Sequence, residues 1–371
     1  MKKFGIVSYN KYCSFTNYGS ALQSWALYTK INTLGEGKWE AILVDYCPDS
    51  HLDSNPLNPI KDMWDGDEES IKMCELSLPA IEINFYKFED FYKNYFVNSE
   101  LKYTSDNFDE IINENLDGFV CGSDTIFCID EFGFDEVYFS NPDIMKNGYS
   151  VSYAASIGDS KFNKENLLKF NELIQNFNYI ALRENYMLDY INENTVVPVK
   201  KVLDPTLLLS SDDYDTIAAP RLEKEKYLLL YARRYDEEMF NFADKLAKEN
   251  GWKVIDISLR ATNNKKHRMF YEAGVEEFLS LVKHAEFIIT NSFHGMIFSI
   301  QYKKQFFIFS REQANNKIIE LLNLFDLSKR LIYTTNNITT DKINYDDVYE
   351  IINIEREKSI EILKTELENC D

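Results

Sequence analysis

The chain has 371 residues, 45 % of them apolar and 27 % charged, which is ordinary globular composition and excludes disordered and low-complexity classes. Its length favours two or three domains over one compact core. Forty basic against 61 acidic side chains leave a formal charge of −21, a field that repels phosphate backbones and argues against nucleic-acid binding.

The apolar start, Phe4 to Ser8, is broken by Asn10 and Lys11, too early for a secretory leader, and reads as a buried first strand. Helical spacing follows over Gly19–Leu34, then a strand over Ala41–Tyr46 closed by Cys47-Pro48. Residues 48–70 are rich in Pro, Asn and Asp and read as irregular, with polar helical material up to about Asn115. Strands are expected at Asp117–Cys121, Ser150–Ala155, Tyr179–Leu182 and Val199–Leu203, with helices at Asn163–Phe177 and Glu184–Asn192 between them. The polar stretch Ser210–Glu223, with Pro220, marks a linker. A second alternation follows, with strands at Tyr227–Tyr231, Lys253–Ile257, Glu286–Thr290 and Gln305–Phe309. Its helices are Glu237–Asn250 with Gly251 after it, Val275–Lys283, His294–Tyr302, Lys317–Phe325 and Tyr345–Glu368. The expected architecture is α/β, with two doubly wound Rossmann-like domains facing a cleft. Residues 1–212 form the first domain, expected to face the acceptor. Residues 213–371 form the second, whose terminal helix is free to cross back.

The six cysteines (Cys13, Cys47, Cys74, Cys121, Cys128 and Cys370) are scattered, which suits a reducing compartment. The four histidines are too dispersed for a local metal motif, and no GxGxxG or P-loop signature occurs.

Strand ends are where ligands gather in such sheets. Asn17, Gly19 and Ser20 follow the first strand, and read either as a capped tight turn or as amides presented to an anion or sugar. Gly122, Ser123 and Asp124 repeat that arrangement; Asp204-Pro205-Thr206 reads as structural. The sharpest segment is Asn291-Ser292-Phe293-His294-Gly295, where a strand delivers polar residues and then a histidine to a helix start. Arg183, Arg233-Arg234 and Arg311 stand at strand ends, and planar guanidinium groups bind carboxylate or phosphate bidentately. Arg260, Lys265, Lys266, His267 and Arg268 form a local basic stretch.

Taken in order, NYGSALQSWAL, VCGSD, SYAASIG, ALRE, VLDPTLLLS and FLSLVKHAEFIITNSFHGMIFSI, with the helix NNKIIELLNLFDLSKR, resemble the polysaccharide pyruvyl transferase family over residues 4–330. The resemblance implies a GT-B-like fold and transfer of a pyruvyl group from phosphoenolpyruvate to glycan hydroxyls as a ketal. It implies His294 as the catalytic or donor-contacting residue and Arg183 as a grip on the donor. Arg233, Arg311, Ser292, Asn17, Gly19, Gly122, Ser123 and Asp124 complete the expected substrate site. Two segments depart from the family pattern. Ser292 stands where some members with demonstrated transfer carry arginine, and Thr125-Ile126-Phe127 stands where Gln-Val-Trp is frequent.

The scheme needs a general acid and cations but no metal or bound cofactor. The expected partners are phosphoenolpyruvate and a sugar or lipid-linked glycan acceptor. No nucleic acid and no transmembrane segment are expected; peripheral membrane contact is allowed, and the expected location is cytoplasmic. The competing readings are a GT-B glycosyltransferase using a nucleotide-sugar donor and a non-catalytic glycan-binding relative.

Overall fold

The computed structural model describes residues 1–62, 67–257, 267–311, 315–335, 338 and 341–370. Within these residues the strands are β1 (Lys2–Val7), β2 (Trp39–Tyr46), β3 (Asn98–Tyr103), β4 (Gly118–Cys121), β5 (Tyr149–Ala155), β6 (Tyr179–Leu182) and β7 (Val199–Lys201). After them come β8 (Tyr227–Tyr231), β9 (Lys253–Asp256), β10 (Arg268–Met269), β11 (Phe287–Thr290), β12 (Phe306–Phe309) and β13 (Leu331–Ile332). The first set forms a sheet in the order β3-β2-β1-β4-β5-β6-β7, the second in the order β10-β9-β8-β11-β12-β13. The central pairings β1–β4 and β8–β11 are parallel, as are their neighbours. The strands read as continuous apolar runs because helices cover both faces of each sheet. The chain is therefore α/β with two Rossmann-like units.

In each sheet the strand order reverses between two central strands, and the crevice outside their carboxyl ends is the place for a ligand. In the first sheet that point lies between β1 and β4, in the second between β8 and β11. The polar segments singled out in the sequence follow these four strands.

The two units share one apolar core. The helix Tyr18–Leu34 is buried over Tyr18–Leu27 on nearly every side, because it lies between its own sheet and the second unit. Tyr18 stacks on Phe278 with ring centroids 4.5 Å apart, and its hydroxyl donates to the Ala273 carbonyl (2.7 Å). Lys87 pairs with Glu277 (2.6 Å). The helix Tyr345–Glu368 touches both units. Tyr345 and Tyr349 donate to carbonyls of the helix Phe293–Gln301 and the turn after it. Farther along, Tyr153 donates to the Ser359 carbonyl and the Ser359 hydroxyl accepts from the Leu203 amide.

Several elements depart from the sequence reading. The polar stretch before Asn115 holds the expected helical material as the helix Glu68–Tyr95, with Pro79 in its interior, but also the edge strand β3, which was not expected. That strand, NSELKY, is mostly exposed and has no apolar alternation to announce it. The linker region includes a short helix, Ser211–Asp215, closed by a capping box between Ser210 and Asp213. Arg260, Lys265 and Lys266 of the basic stretch lie outside the described residues. His267 stands 3.8 Å from Asp244, and Arg268 pairs with Glu223 (3.0 Å).

Candidate active site

The site grows from two tight strand-to-helix turns that face each other. After β11, Thr290 donates its hydroxyl to the Tyr231 carbonyl (2.7 Å) and Ser292 caps the next helix, its oxygen accepting from the Gly295 amide (3.2 Å). A Cβ on Gly295 would come within 2.3 Å of Thr290 Oγ1, so this turn requires glycine. His294 thereby sits in the first turn of that helix, buried, with its ring toward the first unit.

Opposite it, Asn17 caps the helix Tyr18–Leu34 by accepting from the Gly19 and Ser20 amides. A Cβ on Gly19 would lie 1.9 Å from His294 Nδ1, so glycine is what lets the imidazole seat against this backbone. Replacing Gly19 by Ala should leave the helix intact, since alanine favours helix, but displace the ring. Turnover is expected to fall about tenfold or more with unchanged circular dichroism, because small misplacements of a reacting group are costly. Unchanged turnover would mean that the ring's seat does not matter.

Behind the histidine lies a buried charge cluster. Asp204 Oδ2 accepts from Arg183 Nη1 (2.6 Å) and lies 3.5 Å from His294 Nε2. The other Asp204 oxygen accepts from the Thr206 hydroxyl (2.6 Å) and amide (3.0 Å). Arg183 also stands 3.5 Å from Asp124 and 3.8 Å from Glu184. Asp124 accepts in turn from the Ser20 hydroxyl (2.7 Å). Burial pushes the Asp204 carboxyl up, but nearby His294, then Arg183, outweigh it and hold it well below the usual range. Asp124 is likewise held low: burial opposes, while Arg183, His294 and Lys317 prevail. For Arg183, burial disfavours the charge, but Asp204, Asp124 and Glu184 hold it protonated.

A second group of cations converges on the cleft. Burial lowers the Arg311 pKa to about 10, with further repulsion from Arg233 and Arg234. Burial and then Arg183 depress Lys317, whose ammonium stands 5.3 Å from the Phe293 ring centroid. Asn291 organises this side: its oxygen accepts from the Arg233 amide (2.7 Å) and its amide donates to the Arg234 carbonyl (2.8 Å). Like charges gathered at the mouth of a cleft focus its field on an incoming anion.

The structure thus brings His294, Gly19, Asp124 and Arg183 into one network, and Arg233 and Arg311 into another. It redirects several sequence expectations. Arg183 has a side chain only 3 % exposed and its best hydrogen bond goes to Asp204, which suits a positioning role. Its Nε and Nη2 still lack a full hydrogen bond, as does His294 Nε2. Ser292 and Asn17 use their side-chain oxygens as helix caps. Ser123 is fully buried, its amide donating to Gln23 Oε1 and its hydroxyl to the Ala154 carbonyl. Gly122 has φ +139° with the Tyr153 carbonyl where a Cβ would be, so the backbone itself requires glycine there. Asp204, Lys317 and Asn291 were not among the expected site residues. Asp204 had a usable signal, since it follows a strand of the same sheet. Lys317 had none, because its place in the cleft depends on how its helix packs.

Among the described residues no helix is long and apolar enough to cross a membrane. The chain is similar, at 14 % identity and a TM-score of 0.52, to the UDP-N-acetylglucosamine 2-epimerase of Rickettsia bellii, covering 100 % of this chain and 97 % of that one. It is also similar to the Escherichia coli ADP-heptose lipopolysaccharide heptosyltransferase II, at 11 % identity and a TM-score of 0.39, covering 96 % and 99 %. At such identity the first likeness speaks to fold alone. No curated protein sequence matches the chain. The family model for polysaccharide pyruvyl transferases matches residues 17–313, which hold Gly19, Asp124, Arg183, Asp204 and His294. The chain belongs to the polysaccharide pyruvyl transferase family.

Proposed function

We propose that the protein transfers the pyruvyl group of phosphoenolpyruvate to two hydroxyls of a glycan, forming a pyruvate ketal and releasing phosphate. The observation that carries this reading is the meeting of an Asp204-backed histidine with cations around its turn: Arg233 and Arg234 fixed by Asn291, and Lys317 5.3 Å from the Phe293 ring centroid, with Arg311 adding its charge to the first two. The cations suit a small ligand bearing both carboxylate and phosphate. A net charge of −21 does not oppose it, because charges beyond the Debye length of ~8 Å are screened.

In this scheme His294 delivers a proton to the donor's methylene carbon, whose π pair forms the new C–H bond. A sugar hydroxyl attacks the adjacent carbon, the bond to the phosphate oxygen breaks, and a second hydroxyl closes the ketal. Of the two hydroxyl protons, one replaces the proton given to the methylene carbon and the other leaves with phosphate or solvent. Asp204 orients the imidazole and Arg183 holds Asp204 in place.

The test is incubation with phosphoenolpyruvate and a panel of glycan acceptors, with mass analysis for gain of pyruvate less water and assay of phosphate. Release of a nucleoside diphosphate from nucleotide sugars, with no phosphate from phosphoenolpyruvate, would instead identify a glycosyltransferase. Glycan binding with neither release would identify a non-catalytic relative.

A further inference from the structure

We propose that Glu131 is a second proton-transfer group of this cleft, beside the Asp124 turn, which takes the proton of the attacking acceptor hydroxyl and passes it to the departing phosphate or to solvent. This deepens the pyruvyl-transfer reading and rests on it. Ketal formation moves protons both onto the donor and off the acceptor, and His294 alone serves one direction at a time.

Glu131 is placed for the second direction. It lies on the short helix Ile129–Phe132, just past the Asp124 turn, and its Oε2 accepts from the Thr125 hydroxyl (2.8 Å). Thr125 is one of the residues by which this chain departs from the family pattern, so the contact is the chain's own. The side chain reaches solvent along one edge, while charged groups from both units crowd its carboxyl. From its own unit it faces Asp124, and its charge is felt by Tyr9, Cys13, Cys128 and Tyr138. From the second unit Lys317 and Arg233 face it, two of the cations assigned to the donor.

Beside the same helix runs a groove of about 300 Å³ at the carboxyl ends of β1 and β2, lined by Tyr12, Cys13, His51, Phe85, Glu89 and Lys102 among others; Phe132, the residue after Glu131, packs against His51 with ring centroids 5.6 Å apart. Aromatic rings with polar neighbours suit a sugar. Cys13 belongs to this groove and also feels the charges of Arg233 and Glu131. Glu131 therefore lies on the helix that joins the Asp124 turn to the space for an acceptor, within the field of Lys317 and Arg233.

Its proton affinity fits. Burial raises the carboxyl and Asp124 adds to this, while the Thr125 hydrogen bond, Lys317 and Arg233 pull it down, leaving it at about 7. A base poised there is ionised above neutrality and takes up a proton readily.

The test uses Glu131→Gln in the full chain, with two readouts. Phosphoenolpyruvate is titrated calorimetrically at about pH 7.5 in buffers of different ionisation heat, which counts protons taken up on binding. An anion arriving beside Glu131 raises its proton affinity, so the parent should take up a fraction of a proton that the variant does not. Phosphate release from phosphoenolpyruvate is then followed across pH with methyl glycosides bearing 4,6- or vicinal diols. Parent kcat/KM should rise as the pH passes about 7, and Glu131→Gln should lose about 10²-fold or more together with that rise.

Equal proton uptake in parent and variant, or matching turnover with an unchanged pH profile, overturns the assignment. If the parent accepts none of the glycosides, the proton count still decides whether Glu131 faces the donor. A parent that neither binds phosphoenolpyruvate nor releases phosphate from it overturns the pyruvyl-transfer reading itself. Circular dichroism and melting guard against misfolding. Glu131→Gln should melt higher than the parent at alkaline pH and equally at acid pH. A carboxyl whose pKa is raised on folding destabilises the fold only where the unfolded chain is ionised, a penalty complete above about 7 and gone below about 4.

Discussion

His294→Gln should lose turnover by about 10²-fold or more while keeping most of its affinity for phosphoenolpyruvate. The substitution separates two jobs. Glutamine can still donate toward Asp204 from nearly the position of Nε2 and so keep the cluster paired, but it cannot deliver a proton. A loss of 10² corresponds to roughly 2.7 kcal/mol of transition-state stabilisation, within what one positioned proton donor contributes. The ring's environment suits a proton donor, because Asp204 stands 3.5 Å from Nε2, held ionised by His294 and Arg183 against its burial. Turnover by the variant equal to the parent between about pH 6 and 8 would leave His294 only a hydrogen-bonding role.

Arg183→Ala should be the most destabilising single change at the site. It would leave Asp124 without its main buried cation and Asp204 with His294 alone, both carboxyls being held low in part by this guanidinium. Stranding buried charge costs about 3–5 kcal/mol. Thermal melting should fall on the order of 10 °C, given ~2–4 °C per kcal/mol for a unit of this size. The sign with pH follows from the direction of the shifts. Carboxyls depressed on folding contribute stability above their ordinary pKa of about 4, lost as the pH falls through their lower folded values. The deficit of Arg183→Ala should therefore be largest at neutral pH and shrink in acid. A variant that melts like the parent and loses only affinity for phosphoenolpyruvate would return Arg183 to the donor-gripping role its motif suggests.

The βα rhythm was legible because parallel strands buried on both faces are short apolar runs, and YLLLY and FFIF need no alternation to be recognised. The strand NSELKY was not, since an edge strand carries its pairing in the backbone and shows little apolar pattern. The His294 turn was legible for a local reason, a polar residue, histidine and glycine directly after an apolar strand.

What the sequence determined by itself was the class of fold and which residues stand at strand ends, because strand and helix periodicity and turn chemistry act over a few neighbouring residues. Which of those residues point outward was decided by the tertiary structure alone. Arg183 and Arg233 both follow a strand directly or nearly so, yet one is enclosed by Asp124, Glu184 and Asp204 while the other is open to the cleft beside Arg311. Gly19 and His294 are 275 positions apart by their numbering, and only the packing of two helix starts shows that the missing Cβ of one makes room for the ring of the other. Side-chain charge is settled by whatever lies within a few ångströms, and in a chain of two units those neighbours come from distant segments.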